Sequence, residues 1–450
     1  MSRPAITLVN LWMTDPGQRY MPLGLLWLRA SLEAAGYGVE LRDLQFLTDE
    51  EREDPEALAA RLDDSHGILG FSLMSNALPL VVETVRLLRL RRPERRIILG
   101  GPGPTTVARP LLDAFDWIDL VVRGEGEHTI VELMAALSSG DPSAPRRVNG
   151  VSGRDAEGTF HAPDRALVID QDTLPSPRTD DLDLAAYSVY TTVAARGCPY
   201  TCRFCEIPSY ESRRVRKRGV DRVVAELSQV WHDRGVRSVA FQDDIFLLSK
   251  PRVEAILDGL QAAGVALKWG GFARAGRVDP DWIASLSERG MQSVAFGIEA
   301  GSDRLLDRIS KGLTVKKALT GIDTAVPYMH TRCFFLWGFA EETLEDFFGT
   351  LHAAFHAQIL GAHPEIGHVV PLGGSPLYLS WRDGPLEYHP AYPFARVIVP
   401  PRSADLEGLV LAAPTVFSAH YAFPTPDREA KWTVAAKAWP ADRSGLASAG

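Results

Sequence analysis

The chain has 450 residues, 46% hydrophobic and 23% charged, with a net charge of -9. That is an ordinary globular composition, long enough for two or three cored domains, and its acidity argues against nonspecific nucleic-acid binding, which needs a basic surface. No apolar run reaches the roughly 18 to 20 residues of a membrane span, and four cysteines, three of them clustered, do not make a disulfide framework.

The opening stretch MSRPAITLVNLW lacks a long apolar core and a small-residue cleavage site, so a cytoplasmic location is expected. AITLVNL (Ala5 to Leu11) reads as a strand. GLLWLRASLEAAGY has helical periodicity and stops at Gly36. VELRDL follows as a strand, EDPEALAARLDD as a helix, GILGFSLM as a buried strand and LPLVVETVRLLRLRRP as a helix. RIILGGPGPT is a strand running into a glycine-rich loop, and DLVVRGEGEHTIVELMAAL is strand, loop and helix. This alternation predicts a doubly wound parallel sheet of about five strands over residues 1–140. Ligands of such sheets sit at the carboxyl ends of the strands, here the loops 12–24, 72–76, 100–105 and 124–128.

Residues 141–188 are rich in Gly, Pro, Ser and Asp, and read as a linker with a small β element and a hairpin around Asp155 to Gly158. From Tyr190 the alternation resumes, with strands in YTTVAAR, RSVAFQDD, ALKWGGFAR, QSVAFGIEA, RCFFLWGF and EIGHVVPL and helices between them. Six units predict a partial (β/α)6 barrel over 189–372, with its chemistry at the C-terminal strand ends. The basic run RRVRKRGV (Arg213 to Val220) reads as the solvated approach to a helix. Residues 373–450 are Pro-rich and read as a C-terminal cap, with helix-like pieces near Leu406 to Val410 and Asp427 to Ala436.

Cys198, Cys202 and Cys205 follow the first barrel strand with the spacing C-x3-C-x2-C. Three thiolates do not close a four-ligand zinc site; His232 or another distant histidine would have to complete it, and no spacing favours one. A four-iron cluster held by three cysteines leaves one iron open for a substrate or cofactor. Cys333, in an apolar strand, reads as a buried cysteine or as a catalytic thiol. Tyr200 is a second catalytic candidate, able to hydrogen-bond a polar ligand.

RGCPYTCRFC, with Phe204 just before the third cysteine, resembles the cluster loop of the radical S-adenosylmethionine (SAM) enzymes. The resemblance implies a 4Fe-4S cluster on Cys198, Cys202 and Cys205, whose fourth iron binds SAM, and reductive cleavage of SAM to a 5′-deoxyadenosyl radical. FQDDIF is similar to the family's acidic segment near the SAM amino group and implies roles for Gln242, Asp243 and Asp244, although many members have Gly-Gly-Glu there. GGFARAGRVD and FGIEAGSDRLLDRISKG imply Arg274 and Glu299 as further SAM contacts. FLWGFAEETLEDF resembles a family turn in which Ala340 replaces the usual Pro.

The N-terminal α/β region resembles the cobalamin-binding, flavodoxin- or Rossmann-like domain of one radical SAM subclass, through YMPLGLLWLRASLEAAGY, GFSLMS, ILGGPGPT and VVRGEGEHTIVEL. The resemblance implies cobalamin contacts at Pro22, Leu23, Gly24, Ser72, Met74, Gly100, Gly101, Gly124, Glu125 and Gly126. The first loop, WMTDPGQRYMPLG, carries no histidine to ligate cobalt, as many cobalamin domains do. The function implied is cobalamin-dependent methylation of an unactivated carbon in natural-product or antibiotic biosynthesis, with a small-molecule substrate and an electron donor such as flavodoxin or ferredoxin. A radical dehydratase, epimerase or rearrangement enzyme without methyl transfer is the alternative; an iron–sulfur or cobalamin sensor is a third, and no output module accompanies it.

Overall fold

The computed structural model describes residues 4–11, 18–211, 213–388 and 403–438. Strands β1 (Ile6–Asn10), β2 (Val39–Asp43), β3 (Ile68–Ser72), β4 (Arg96–Gly100) and β5 (Leu120–Val122) run parallel in the order β2-β1-β3-β4-β5. The central strands ILGFS and RIILG are apolar on both faces because helices cover both. Leu58, Leu62, Val81 and Val85 pack on one face, and Leu25, Leu32, Ile130 and Leu133 on the other. The chain winds to β2 on one side of β1 and to β3 on the other, so the crevice between the ends of β1 and β3 is a topological switch point.

The sheet does not stop at five strands. Strands β6 (Val151–Asp155) and β7 (Gly158–His161) form the expected hairpin, but they extend this sheet antiparallel to β5 rather than standing in a linker. A three-residue β5 would otherwise be an open edge. Gly153 allows the hairpin to seat, since a Cβ there would lie 2.6 Å from Leu120.

The second sheet begins with β8 (Tyr190–Thr192). A small antiparallel pair, β9 (Ala195–Arg196) and β10 (Arg216–Lys217), flanks the cysteine loop. Strands β11 (Ser238–Phe241), β12 (Lys268–Ala273), β13 (Met291–Glu299), β14 (His330–Trp337) and β15 (His363–His368) complete six parallel strands in sequential order, β15-β14-β13-β12-β11-β8. Sequential order without closure is the open, partial barrel expected. Alternation in β14 sends Cys333, Phe335 and Trp337 into the core shared with Phe347 and Ala354, while Arg332, Phe334 and Leu336 stay half-buried on the other face. The basic run is not simply solvated: Arg213 and Lys217 are exposed, but Arg216 and Arg218 are buried.

The C-terminal region is a tie between the two sheets. Helix Ala404–Ala412 lies on helix Leu78–Arg91, and Val410, Phe417 and Tyr421 join the first domain's core. Strands β16 (Glu387–Tyr388) and β17 (Tyr421–Ala422) pair within it. Lys431, on helix Arg428–Ala438, lies 3.1 Å from Glu342 beside the barrel, with both side chains fully buried.

Candidate functional site

The carboxyl ends of both sheets meet at the cysteine loop. Backbone groups fix the start of that loop: Asp243 accepts from the Ala194 amide at 2.7 Å and Asp244 from the Gly197 amide at 3.0 Å, while Arg252 donates to the Ala194 carbonyl at 2.9 Å. Gly197 has φ +92, and a Cβ there would lie 2.5 Å from the Arg214 carbonyl oxygen, so the turn into Cys198 requires glycine. Cys202 is buried, Cys198 and Cys205 are half-buried, and all three thiols are free. Burial raises the Cys198 thiol, and burial reinforced by the neighbouring thiols pushes Cys205 up to about 12. Cys198 and Cys205 therefore favour the neutral thiol until a positive metal centre draws their protons away. Among the described residues no group of three His, Cys, Asp or Glu is arranged to hold a metal ion. The donor set is three thiols, one fewer than the four ligands that close a structural zinc site and enough to hold three irons of a four-iron cluster.

Beside the cysteine loop lies a charged group at the ends of β12 and β13. The Arg274 guanidinium sits 3.8 Å from the Tyr200 ring centre and donates to the Lys311 carbonyl. Lys311 Nζ is 2.8 Å from Glu299 Oε1 and 5.8 Å from the Phe204 ring centre. Glu299 has φ +76, a left-handed conformation at a strand end that is a strained choice for a non-glycine residue. The structure thus brings together Tyr200, Phe204, Arg274 and Glu299, and adds Lys311, which lies in the same motif as Glu299 but carries no local spacing signal of its own.

The acidic segment after β11 divides. Gln242 and Asp244 line a chamber between the two sheets. Asp243 does not: its carboxylate is buried against the Ala194 and Ala195 amides, and burial pushes it up to about 7. Cys333 also stands apart. It is buried among the helices behind β14, where desolvation raises its thiol to about 12, so the catalytic role expected as one alternative has no access to the chamber. Tyr200, the other catalytic candidate, is stacked under Arg274.

The chamber has a volume of about 300 Å³. Its first-domain wall includes Gly24, Ser72, Gly100, Gly101, Gly124, Glu125 and Gly126. A second chamber of about 180 Å³ adjoins it, sharing Leu23, Gly24 and Ser72 and adding Pro22 and Met74. Every residue expected to touch cobalamin therefore lines one chamber or the other. A Cβ at Gly24 or Gly124 would meet nothing within 4 Å, while at Gly101, with φ +89, it would lie 2.7 Å from Leu73. Glycines open the wall at the first two positions and let the turn form at the third, so a flat ligand can approach the backbone closely there. Residues 12–17 of the first expected loop lie outside the described residues.

The barrel-side wall was foreseen only at Gln242 and Asp244, which were expected as SAM contacts. It includes Arg196, Tyr210 and Glu211 with Gln242 and Asp244. Burial pushes Glu211 up to about 7. Glu206, next to Cys205, is pushed up to about 7 by burial too, and its Oε2 is buried with no hydrogen-bond partner among the described residues. Their only sequence signal was position, directly after the third cysteine.

Residues 192–354 match the model of the Radical SAM superfamily and residues 10–134 that of the B12 binding domain. An uncharacterized methyltransferase of Pyrococcus horikoshii is 29% identical over 339 residues, 74% of this chain and 72% of that protein. An anaerobic magnesium-protoporphyrin IX monomethyl ester cyclase of Synechocystis is 28% identical over 315 residues, 66% of this chain and 60% of the cyclase. The solved structure of the radical SAM methyltransferase TsrM from Kitasatospora setae, with cobalamin and a 4Fe-4S cluster bound, is similar in fold: TM-score 0.73 at 18% identity, covering 99% of this chain and 90% of that one. The two matched domains bring a 4Fe-4S cluster, SAM and cobalamin as cofactors, and no helix among the described residues is long and apolar enough to cross a membrane. The chain thus carries a B12 binding domain followed by a radical SAM domain, the domain order of the radical SAM enzymes with an N-terminal cobalamin-binding domain.

Proposed function

We propose that the enzyme transfers a methyl group from cobalamin to an unactivated carbon of a small-molecule substrate, consuming SAM both as radical source and as methyl source. The observation that carries this reading is the chamber itself, whose one wall is the glycine-rich end of the cobalamin-type sheet and whose other wall flanks the cysteine loop. A ligand held there faces the cluster side of the molecule directly. When bound, the cluster supplies the electron that cleaves SAM and cobalamin supplies the methyl group.

The chain's own residues bind, orient and shield. Phe204, Arg274, Glu299 and Lys311 offer an aromatic face, two cations and one carboxylate beside the cluster loop, which match the adenine, carboxylate and amine or ribose hydroxyls of SAM. The buried walls limit water, which would otherwise screen these charges. Glu211 stands at the chamber wall paired with Arg216, its carboxyl raised by burial to about 7 against the pull of the neighbouring guanidinium groups. An external one-electron donor of the flavodoxin or ferredoxin type completes the reaction in a cytoplasmic setting.

The test needs no substrate. Reconstituted protein is incubated anaerobically with SAM and a low-potential reductant, with and without cobalamin, and S-adenosylhomocysteine and 5′-deoxyadenosine are measured. The methyltransferase reading expects S-adenosylhomocysteine only when cobalamin is present. Deoxyadenosine without S-adenosylhomocysteine would overturn it and favour a radical rearrangement or ring closure, the reading that similarity to the cyclase supports.

A further inference from the structure

We infer that the Gly124 to Glu127 turn couples occupancy of the chamber to the geometry of the cysteine loop, through two buried carboxylates that clamp both arms of that loop. Glu125 Oε1 accepts from Arg196 Nη1 at 2.9 Å and from Arg216 Nη1 at 2.6 Å. Glu127 Oε1 accepts from Arg196 Nη2 at 2.6 Å. Arg196 lies just before Cys198. Arg216 reaches back to the other arm, donating through Nη2 to Glu211, which lies after Cys205. The β9–β10 pairing sets Arg216 directly opposite Arg196, so the two guanidinium groups approach the same carboxylate from neighbouring strands.

The clamp is dry. Side-chain exposure is 14% for Arg196, 0% for Arg216, 6% for Glu125 and 5% for Glu127. Such pairs are little screened by salt and depend steeply on geometry, because a displaced partner leaves a charge buried without compensation. The turn is held from its other side as well: Glu125 Oε2 accepts from the Val168 amide at 2.8 Å, and Arg216 donates to the Val168 carbonyl at 2.9 Å. Trp27 of the first domain lies 5.2 Å from both the Arg196 and the Arg218 guanidinium.

The same turn is chamber wall. Gly124, Glu125, Gly126 and Glu127 all line the cavity, as do Trp27, Arg196 and Glu211, whereas Arg216 does not. A ligand that seats against the turn therefore fixes the carboxylates that fix the cysteine loop. Asp244 adds a second contact in the same direction, since it lines the chamber and holds the Gly197 amide. Because binding linkage is reciprocal, whatever cobalamin does to SAM affinity, SAM does to cobalamin affinity. Glu125, Glu127 and Arg216 are positioning residues in this scheme: they act on the cluster loop through Arg196 and Glu211.

The inference rests on the reading that the chamber holds cobalamin. Its test is the dissociation constant of SAM on cluster-reconstituted protein, measured by calorimetry with and without saturating hydroxocobalamin. Wild type is expected to bind SAM about five-fold or more tightly with cobalamin present, the lower end of ordinary coupling. In Arg216→Lys, which keeps the charge but cannot fork between Glu125 and Glu211, the ratio is expected to fall below about two-fold. Glu127→Gln should lose the coupling in the same way, and serves if the lysine variant does not fold. A folded variant of either kind that keeps the wild-type ratio overturns the coupling. Wild type that retains hydroxocobalamin yet binds SAM equally with and without it also overturns the coupling while leaving the chamber assignment standing. Wild type that retains no hydroxocobalamin overturns the chamber assignment and the coupling together.

Discussion

Lys311 and Glu206 are both buried charged side chains near the cysteine loop, and their surroundings give them opposite characters. Lys311 has a partner in Glu299 at 2.8 Å, so its cation is compensated and available to a ligand. Replacing it with Met leaves the Glu299 carboxylate uncompensated at the site where SAM is proposed to bind. A charged hydrogen bond of this kind is worth about 1.5–3 kcal/mol, so SAM affinity should fall roughly 10- to 100-fold in titration calorimetry. Unchanged affinity in Lys311→Met would mean that the pair only ties β13 to the following loop. Glu206 instead has one buried, unpartnered oxygen and a carboxyl raised from 4.5 to about 7. Below pH 4.5 folded and unfolded chains both hold this proton; between 4.5 and 7 only the folded chain does, so stability falls as pH rises and levels off above 7. The shift corresponds to about 3 kcal/mol. Glu206→Gln should remove that component from the urea-unfolding midpoint measured between about pH 5 and 8, and a midpoint as pH-dependent as wild type would contradict the assignment. The three cysteines and Phe204 were legible because their spacing is local. Lys311, Glu211, Arg196 and Arg216 were not, because what gives them meaning is a partner brought close by the fold: Arg216 and Glu125 are 91 positions apart.

At the scale of elements, the two runs of β/α alternation were readable from period and length, since parallel strands covered on both faces are apolar and short. The antiparallel hairpin was readable as a hairpin but not as an extension of the first sheet; its register against β5 is a nonlocal fact. Helix Leu23–Ala34 illustrates how an element serves the chamber. Gly24 stands in its first turn, lines both chambers, and would meet nothing within 4 Å if given a Cβ. Gly24→Phe should fold, because the helix gains propensity over glycine and the ring enters open space. Cobalamin retained after desalting should drop from about one per chain to near zero in the absorbance spectrum, with the cluster band kept. Full retention in that variant would place cobalamin elsewhere.

At the scale of the molecule, the two sheets face each other with their carboxyl ends, and several connections among the described residues keep them there. Met21 of the first domain joins the barrel core beside Tyr190, the Glu125 and Glu127 carboxylates hold Arg196, and the C-terminal region packs on both halves. That mutual facing is what places a cobalamin-type crevice beside an iron–sulfur loop, and it is the claim on which the functional reading depends. The measurement that tests it most directly is the anaerobic absorbance spectrum of protein reconstituted with iron, sulfide and hydroxocobalamin, then desalted, with iron and cobalt counted per chain. The account expects about one cobalamin beside one four-iron cluster in each chain. A cluster band with no retained cobalamin would contradict it.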